Sequence, residues 1–245
     1  MLSKRLIKYF KSLQLKKYRH QEGKFIVEGA KGVVEVLQSG FKVDYLLATA
    51  EFKSSLSEQL LQKAREVIEV KESDLQMIGT FLSNNAGIAI VEMLPQSPFA
   101  LPLDEHVLAL DDVRDPGNLG TIIRIADWYG IKHIVCSLES ADFYNPKVIN
   151  ASMGSFTRVN VVYADLEKIL SENQMPVYGA LLEGENIYKS DLSKAGIILM
   201  GNESQGIDKA LEPLITHSIH IPRRGGAESL NVAIATAVIL DNFFR

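Results

Sequence analysis

Apolar residues at Leu2, Leu6, Ile7, Phe10 and Leu13 recur at helical spacing with lysines and arginines between them, which predicts a basic amphipathic helix. The period then changes. The short runs KFIVEG, VDYLLAT, EVIEV and GIAIVEM alternate with helical stretches at 30–39, 51–65 and 73–81, the pattern of an α/β unit. The segment LPQSPFALP carries three prolines and disfavours regular structure. The reading is a first domain over 1–94, a linker over 95–103 and a second domain over 104–245. In the second domain HVLALDD, HIVCS, VNVVY, VYGALL, GIILMGN and SIHIP are expected strands, with helices near 119–129, 146–152, 165–173, 208–215 and 230–244. Buried parallel strands read as nearly continuous apolar runs, as these do.

A chain of 245 residues, 47% hydrophobic and 23% charged, can bury a core as one large domain or two smaller ones. No uninterrupted apolar run approaches the roughly 18 residues that span a bilayer, and no signal-peptide segment follows the basic start. The expectation is a soluble cytoplasmic protein. The single cysteine, Cys136 in IKHIVCS, has no partner for an intramolecular disulfide, and no clustered histidines accompany it, so no metal site is expected. The net charge of −4 argues against nucleic-acid binding by bulk charge, but its distribution does not. Residues 1–24 hold Lys4, Arg5, Lys8, Lys11, Lys16, Lys17, Arg19 and Lys24 against Glu22, a net +7 that leaves −11 for the rest. Such a basic end suits a phosphate backbone, or else a solvated helix face.

Three segments share one grammar: an apolar strand ends, glycine or proline follows, and polar residues precede a helix. The first runs from LALDD into Pro116, Gly117 and Asn118; the second holds Gly201, Asn202, Glu203 and Gly206; the third passes from Ile221-Pro222 to Ser229-Leu230-Asn231. Carboxyl ends of parallel strands are where such sheets bind ligands. Neither a G-x-G-x-x-G dinucleotide turn nor a G-x-x-x-x-G-K-[ST] phosphate loop is present, which disfavours those enzymes. Taken singly, each residue has a structural explanation: Asn118 and Ser229 as helix caps, Gly201 as a strand end, and Arg124 paired with Asp127 or stacked on Trp128. Three such clusters in one domain are harder to attribute to capping.

The segments LDDVRDPGNLGTIIRIADWYG, ILMGNESQGI and IPRRGGAESLNVAIATAVIL resemble, in order and spacing, the three motifs of the SpoU family, also called TrmH-like RNA ribose methyltransferases, over about 105–245. KKYRHQEGKFIVEGAKGVVEVL resembles the smaller substrate-binding domain of many members, itself similar to ribosomal RNA-binding proteins. The resemblance implies an α/β fold whose C-terminal parallel sheet threads a loop into a deep trefoil knot that holds S-adenosylmethionine. It implies a homodimer with the active site at or near the subunit interface. Gly201, Ile221 and Leu230 match positions whose backbone groups line the adenosine site, and Leu181 is a further candidate. Arg124 matches the central catalytic residue, with Asn118, Glu203, Ser229 and Asn231 around it. NASMGSFTRV resembles a family segment near the active site and adds Ser152, Gly154 and Arg158, while Arg223 and Arg224 suit RNA phosphates or a solvated loop equally.

The implied reaction moves a methyl group from a sulfonium to a ribose 2'-hydroxyl, which needs alignment and deprotonation but no metal. An arginine in solution titrates at about 12.5 to 13.8, so holding it neutral at pH 7 costs about 7 to 9 kcal/mol. A charged guanidinium that forks onto the adjacent phosphate and stabilises developing alkoxide is the preferred role of Arg124 over general base. Asn118 is expected to orient Arg124 or the ribose, Ser229 and Asn231 to hold phosphate or ribose, and Glu203 to meet Arg124 or simply solvate its loop. The expected substrate is ribosomal RNA, the large subunit favoured. The same reaction on tRNA, a non-catalytic RNA-binding assembly factor and a metabolite-binding α/β enzyme are the alternatives.

Overall fold

The structure, a computed structural model, describes residues 2–95 and 99–245; residues 96–98 of the expected linker lie outside the described residues. The first part of the chain forms α1 (Lys4–Ser12), α2 (Lys16–Glu22), β1 (Lys24–Glu28), α3 (Ala30–Gln38), β2 (Val43–Ala48), α4 (Ala50–Ser55), α5 (Glu58–Leu61), β3 (Ala64–Glu69), α6 (Glu72–Ile78) and β4 (Gly87–Glu92). The rest forms β5 (His106–Leu110), α7 (Pro116–Trp128), β6 (His133–Cys136), α8 (Pro146–Ser152), β7 (Asn160–Tyr163), α9 (Leu166–Ser171), β8 (Val177–Asn186), β9 (Gly196–Met200), β10 (His217–His220) and α10 (Val232–Phe243). The stretch expected to be helical over 51–65 breaks in two, because Ser57 caps a new helix and Ala64 onward pairs in parallel with β2. The expected helix at 208–215 reduces to a single 3-10 turn at Glu212–Leu214, where Pro213 has no N–H to continue it.

Two compact units result: Met1–Pro95 with Asp142–Thr157, and Gln96–Ala141 with Arg158–Arg245. The segment 142–157 falls in the second domain by its place in the sequence, yet it groups with the first. Burial decides this. Phe25 on β1 meets the rings of Tyr144 and Phe156 at centroid distances of 4.7 and 6.0 Å, aromatic contacts that add to the area they remove from water. Asn150 Nδ2 donates to Glu28 at 3.0 Å, and Asp142 pairs with the buried Arg19.

In the first unit β4 lies between β1 and β2, antiparallel to both, and β3 extends the sheet parallel to β2. Phe10 and Leu13 from α1 and its following turn join Ile26, Leu47, Leu75, Ile78, Ile88 and Ile90 in one core. Two of the eight N-terminal cations are engaged inside this unit. Arg19 donates to the carbonyls of Leu13 and Gln14 and to Asp142, and Lys24 pairs with Asp44. The other six are exposed.

The second unit is a six-stranded parallel sheet in the order β10-β8-β9-β5-β6-β7. The chain winds outward from β5 through β6 and β7, then crosses to the other side with β8, and β9 returns between β8 and β5. This reversal makes a switch point, and the crevice beyond the carboxyl ends of β5 and β9 is the natural ligand position. Val107, Ala109, Val135, Val177, Ile197 and Leu199 fill the core, and the Cys136 thiol is buried and pushed well above its ordinary range by desolvation. No helix among the described residues is long and apolar enough to cross a membrane.

His106 opens β5, buried against Phe243 and Phe244, with Nδ1 lacking a hydrogen-bond partner. Desolvation lowers its pKa, opposed by a smaller hydrogen-bonding effect from the Gly196 backbone. The unfolded chain therefore binds this proton more readily than the fold does. Stability is expected to be fully present above about pH 6.5 and to fall as pH drops through the folded pKa. Thermal melts of wild type and His106→Gln across pH 5–8 check this, and equal slopes below pH 6.5 would contradict it.

Candidate active site

Three loops at strand ends build the site, and local sequence sets each. After β5, Asp115 caps α7 by accepting from the Asn118 backbone N–H at 2.9 Å, with Pro116 in the first helical position. That cap is worth about 1 kcal/mol. Leu119, Ile122, Ile123 and Ala126 then form the buried stripe. Asn118 is thus not the cap, and its side chain is released for the site. At the third loop Asn231, not Ser229, caps α10, its Oδ1 accepting from the N–H groups of Ala233 and Ile234 at 3.0 and 3.4 Å.

The freed amides meet. Asn231 Nδ2 donates to Asn118 Oδ1 at 2.9 Å, and Asn118 Nδ2 donates to Glu203 Oε1 at 2.6 Å. One carboxamide, which can accept and donate at once, joins the three strand-end segments in a single chain of bonds. Glu203 is therefore the partner of Asn118; no bond to Arg124 forms. The Asn118–Glu203 bond is charge-assisted and correspondingly short.

A second tie holds the loops after β5 and β9. Asp112 adopts the left-handed region at φ 56°, uncommon for a residue with a side chain but accessible to aspartate. Its N–H donates to Ser137 Oγ at 2.9 Å, its Oδ1 accepts from Arg114 Nε at 2.6 Å, and its carbonyl accepts from Asn202 Nδ2 at 2.8 Å. Asn202 Oδ1 in turn accepts from the N–H groups of Ser204 and Gln205, shaping the turn that presents Glu203. Next to it the buried Asp111 accepts from Asp208 N–H at 2.8 Å, and its carboxyl is raised mainly by desolvation. Asn202 stands in the second polar cluster of the sequence, but its role and that of Asp112 emerge only here. The Asn-x-x-x-Gly spacing before Ile207 was the available signal.

Arg124 stands apart. It is exposed and has no hydrogen-bond or ion-pair partner among the described residues. Asp127, a possible i+3 partner, binds Arg158 instead through Nε and Nη2 at 2.9 to 3.1 Å. Trp128 offers Arg124 no stacking and is 84% exposed. Six residues after Asn118, Arg124 projects about 120° around α7 and about 9 Å further along it. The same chain therefore does not aim it at the Asn231–Asn118–Glu203 chain. Ser229 and Leu230 are exposed and make no hydrogen bond among the described residues. Ser152 and Gly154 lie in the first unit, Ser152 donating to the Ile149 carbonyl and Gly154 at φ 96° beside Glu35. Arg223 Nη1 donates to the Ala227 carbonyl.

The positions expected to bind cofactor stand on β8 (Leu181), just after β9 (Gly201), just after β10 (Ile221) and just before α10 (Leu230). Gly179 is level with Leu199 on β9 and Ser218 on β10, while Leu181 lies in the stretch of β8 where its register with β10 shifts. Leu181 and Ile221 are half-buried, and at Gly201 a Cβ would lie 2.2 Å from the Gly206 backbone. Only glycine permits that close turn. No cluster of three or more metal-ligating side chains exists among the described residues.

Fold and site define a class: an α/β protein whose polar site joins three loops at the carboxyl ends of parallel strands. Residues 105–241 match the SpoU rRNA Methylase family, and residues 4–85 match the MRM3-like substrate binding domain. The chain belongs to the SpoU rRNA methylase family. It is similar to the 23S rRNA (guanosine(2553)-2'-O)-methyltransferase RlmP of Bacillus subtilis (strain 168), 32% identical over 96% of this chain and 94% of that one. A TrmH-family structure from Porphyromonas gingivalis matches with TM-score 0.88 and 38% identity over 99% of this chain and 98% of that one. The AdoMet-bound rRNA methyltransferase of Sinorhizobium meliloti matches with TM-score 0.87 and 31% identity over 99% and 95%.

Proposed function

We propose that this protein is an S-adenosylmethionine-dependent methyltransferase that modifies a ribose 2'-hydroxyl in large-subunit ribosomal RNA. The observation that carries the reading is the Asn231–Asn118–Glu203 chain, which draws three separate strand-end loops into one polar site. The named reactions of the similar proteins supply the RNA class.

S-adenosylmethionine, when bound, supplies a methyl group on a sulfonium, already a good leaving group. Leu181, Gly201, Ile221 and Leu230 would hold its adenosine. Asn118, fixed at both ends, orients the ribose. Ser229 and Asn231 stand at the start of α10, where N–H groups favour a phosphate. Arg124, as a charged fork, binds the neighbouring RNA phosphate and stabilises the developing alkoxide, with water or another group taking the proton.

The reading includes a homodimer and a trefoil knot through the C-terminal loops. The adjacent carboxyl ends of β8, β9 and β10 support the knot. For the dimer the support is Trp128 and Ile234, 84% and 53% exposed on α7 and α10, helices that pack together. Arg124 shares the Trp128 face at i+4. A second copy covering that face would bring Arg124 of one chain toward the site of the other. Sedimentation of Trp128→Glu/Ile234→Glu is expected to show a monomer with little activity where wild type sediments as a dimer; a wild-type monomer would overturn this. The proposed setting is the cytoplasm, where ribosomal RNA is modified.

Transfer of labelled methyl from S-adenosylmethionine to fractionated RNA lacking the modification tests the function. The expected result is alkali-resistant label in 23S rRNA. Label in tRNA alone would overturn the substrate, and no label in any fraction, with cofactor still bound, would overturn the enzyme.

A further inference from the structure

Asp112 closes a ring around the site. Its Oδ1 accepts from Arg114 Nε at 2.6 Å, and its carbonyl and Oδ2 accept from Asn202 Nδ2 at 2.8 and 3.3 Å. Next to Arg114 in the chain stands Asp115, whose carboxylate accepts from the Asn118 backbone N–H at 2.9 Å. Next to Asn202 stands Glu203, whose carboxylate accepts from the Asn118 side chain at 2.6 Å. The two arms that leave Asp112 therefore meet again at Asn118, one on its backbone and one on its carboxamide. An amide held from both directions by a satisfied polar network is rigid, where a single bond would leave it free to swing.

The ring depends on the left-handed backbone of Asp112, a conformation that a residue with a Cβ adopts at a cost. Strain of this kind persists only where the surroundings over-determine it, and it gathers at functional sites. The surroundings are explicit here. The Ser137 hydroxyl that takes the Asp112 N–H lies 3.1 Å from Ser140 Oγ, and both serines are buried. Neighbouring backbone is pinned as well, Asp111 N–H donating to the Met200 carbonyl and Ser137 N–H to the Leu110 carbonyl, both at 2.9 Å. The carboxyl ends of β5, β6 and β9 thus converge on this one residue. An extended residue at 112 would lose Ser137 or Asn202, because its own N–H and carbonyl make those bonds and φ sets the angle between them.

Local turn and helix formation do not require this ring. Asp115 caps α7 without it, and Asn202 shapes its own turn through the N–H groups of Ser204 and Gln205. What Asp112 adds is a fixed separation between the two loops that hold Asn118. We infer that Asp112 is a positioning residue for methyl transfer, acting through Arg114 and Asn202 to hold the Asn118 carboxamide against the ribose, an inference that rests on the proposed function. It touches neither RNA nor cofactor, so its loss is read in kcat and not in KM.

The test uses the full-length protein with 23S rRNA. Asp112→Val, whose β-branched side chain resists the left-handed region, is expected to lower kcat about tenfold to a hundredfold, the scale of a small misplacement, with both KM values unchanged. Asp112→Asn keeps the conformation and an acceptor for Arg114, and should recover most of the loss. Asp112→Gly keeps only the backbone arm and should fall between them. In an Asn118→Ala background Asp112→Val should cost little more, since the amide it acts through is gone. A full additive loss there, or a raised KM with kcat unchanged, would overturn the inference. Should Asp112→Val not fold, Arg114→Ala and Asp112→Gly carry the test: equal falls in kcat that do not add on combination are expected, and additive falls would overturn it. The side-chain amide NMR signal of Asn118, identified by its loss in Asn118→Asp, reads position without turnover. A wild type that transfers no methyl, but whose signal moves in Asp112→Val or Asp112→Gly and returns in Asp112→Asn, would overturn the methyl-transfer reading and keep the positioning role. A signal indifferent to these substitutions would overturn the positioning role.

Discussion

Arg124→Ala is expected to lower kcat for methyl transfer by about 10² to 10³, the loss typical when a transition-state charge stabiliser is removed. Arg124 is exposed and unpartnered among the described residues of its chain, so the melting temperature should not move. Arg124→Lys keeps the charge and loses the planar fork, and should recover only a small part of the rate. A lysine variant with nearly full turnover would remove the fork from the mechanism. Mixing gives a sharper result. If Arg124 of one chain completes the site of the other, reassorted dimers of Arg124→Ala with Asn118→Ala contain one intact site, and about a quarter of all sites should regain activity. If each Arg124 serves its own chain, the mixture stays as inactive as its parents.

Asn118→Ala is the second large effect. It leaves half-buried Glu203 without its donor, at a cost of about 1 to 3 kcal/mol, while the exposed Asn231 amide turns to solvent. The expected fall in kcat is about tenfold to a hundredfold. The helix should survive, because Asp115 still caps α7 through the backbone of residue 118. Asn118→Asp is more informative, since the shape is kept while a carboxylate replaces the amide beside Glu203. Two carboxylates at this separation cannot both ionise without cost, so one holds a proton more readily. Activity of Asn118→Asp relative to wild type is expected to rise as pH falls, because protonation of either carboxyl restores a donor. A pH–rate ratio that is flat or falls toward acid would show that the Asn118–Glu203 bond does not position the reacting groups.

Much of the fold is legible in the amino-acid sequence. Apolar runs and turn residues locate nearly every strand, and the three polar segments at strand ends mark out Asn118, Glu203 and Asn231. What they do not show is direction. Asn118 and Ser229 look equally able to cap helices, and only the closing of α7 and α10 makes Asp115 and Asn231 the caps, which frees Asn118 to bridge. Asp127 looks like the partner of Arg124, and a residue thirty-one positions away takes it. The left-handed Asp112 carries no composition signal, because its conformation is enforced by Ser137 and Asn202 from other strand ends.

The alternation of elements, the polar clusters at strand ends and the basic start of the chain were all legible from the amino-acid order, since these depend on local periodicity and on charges adjacent in the chain. The tertiary structure alone decided that residues 142–157 join the first unit, that Arg19 and Lys24 are taken up by Asp142 and Asp44, and that one amide ties three loops together. Those outcomes turn on which distant groups can satisfy a buried charge or cover an aromatic ring, a competition among partners that becomes defined only when the whole chain is packed.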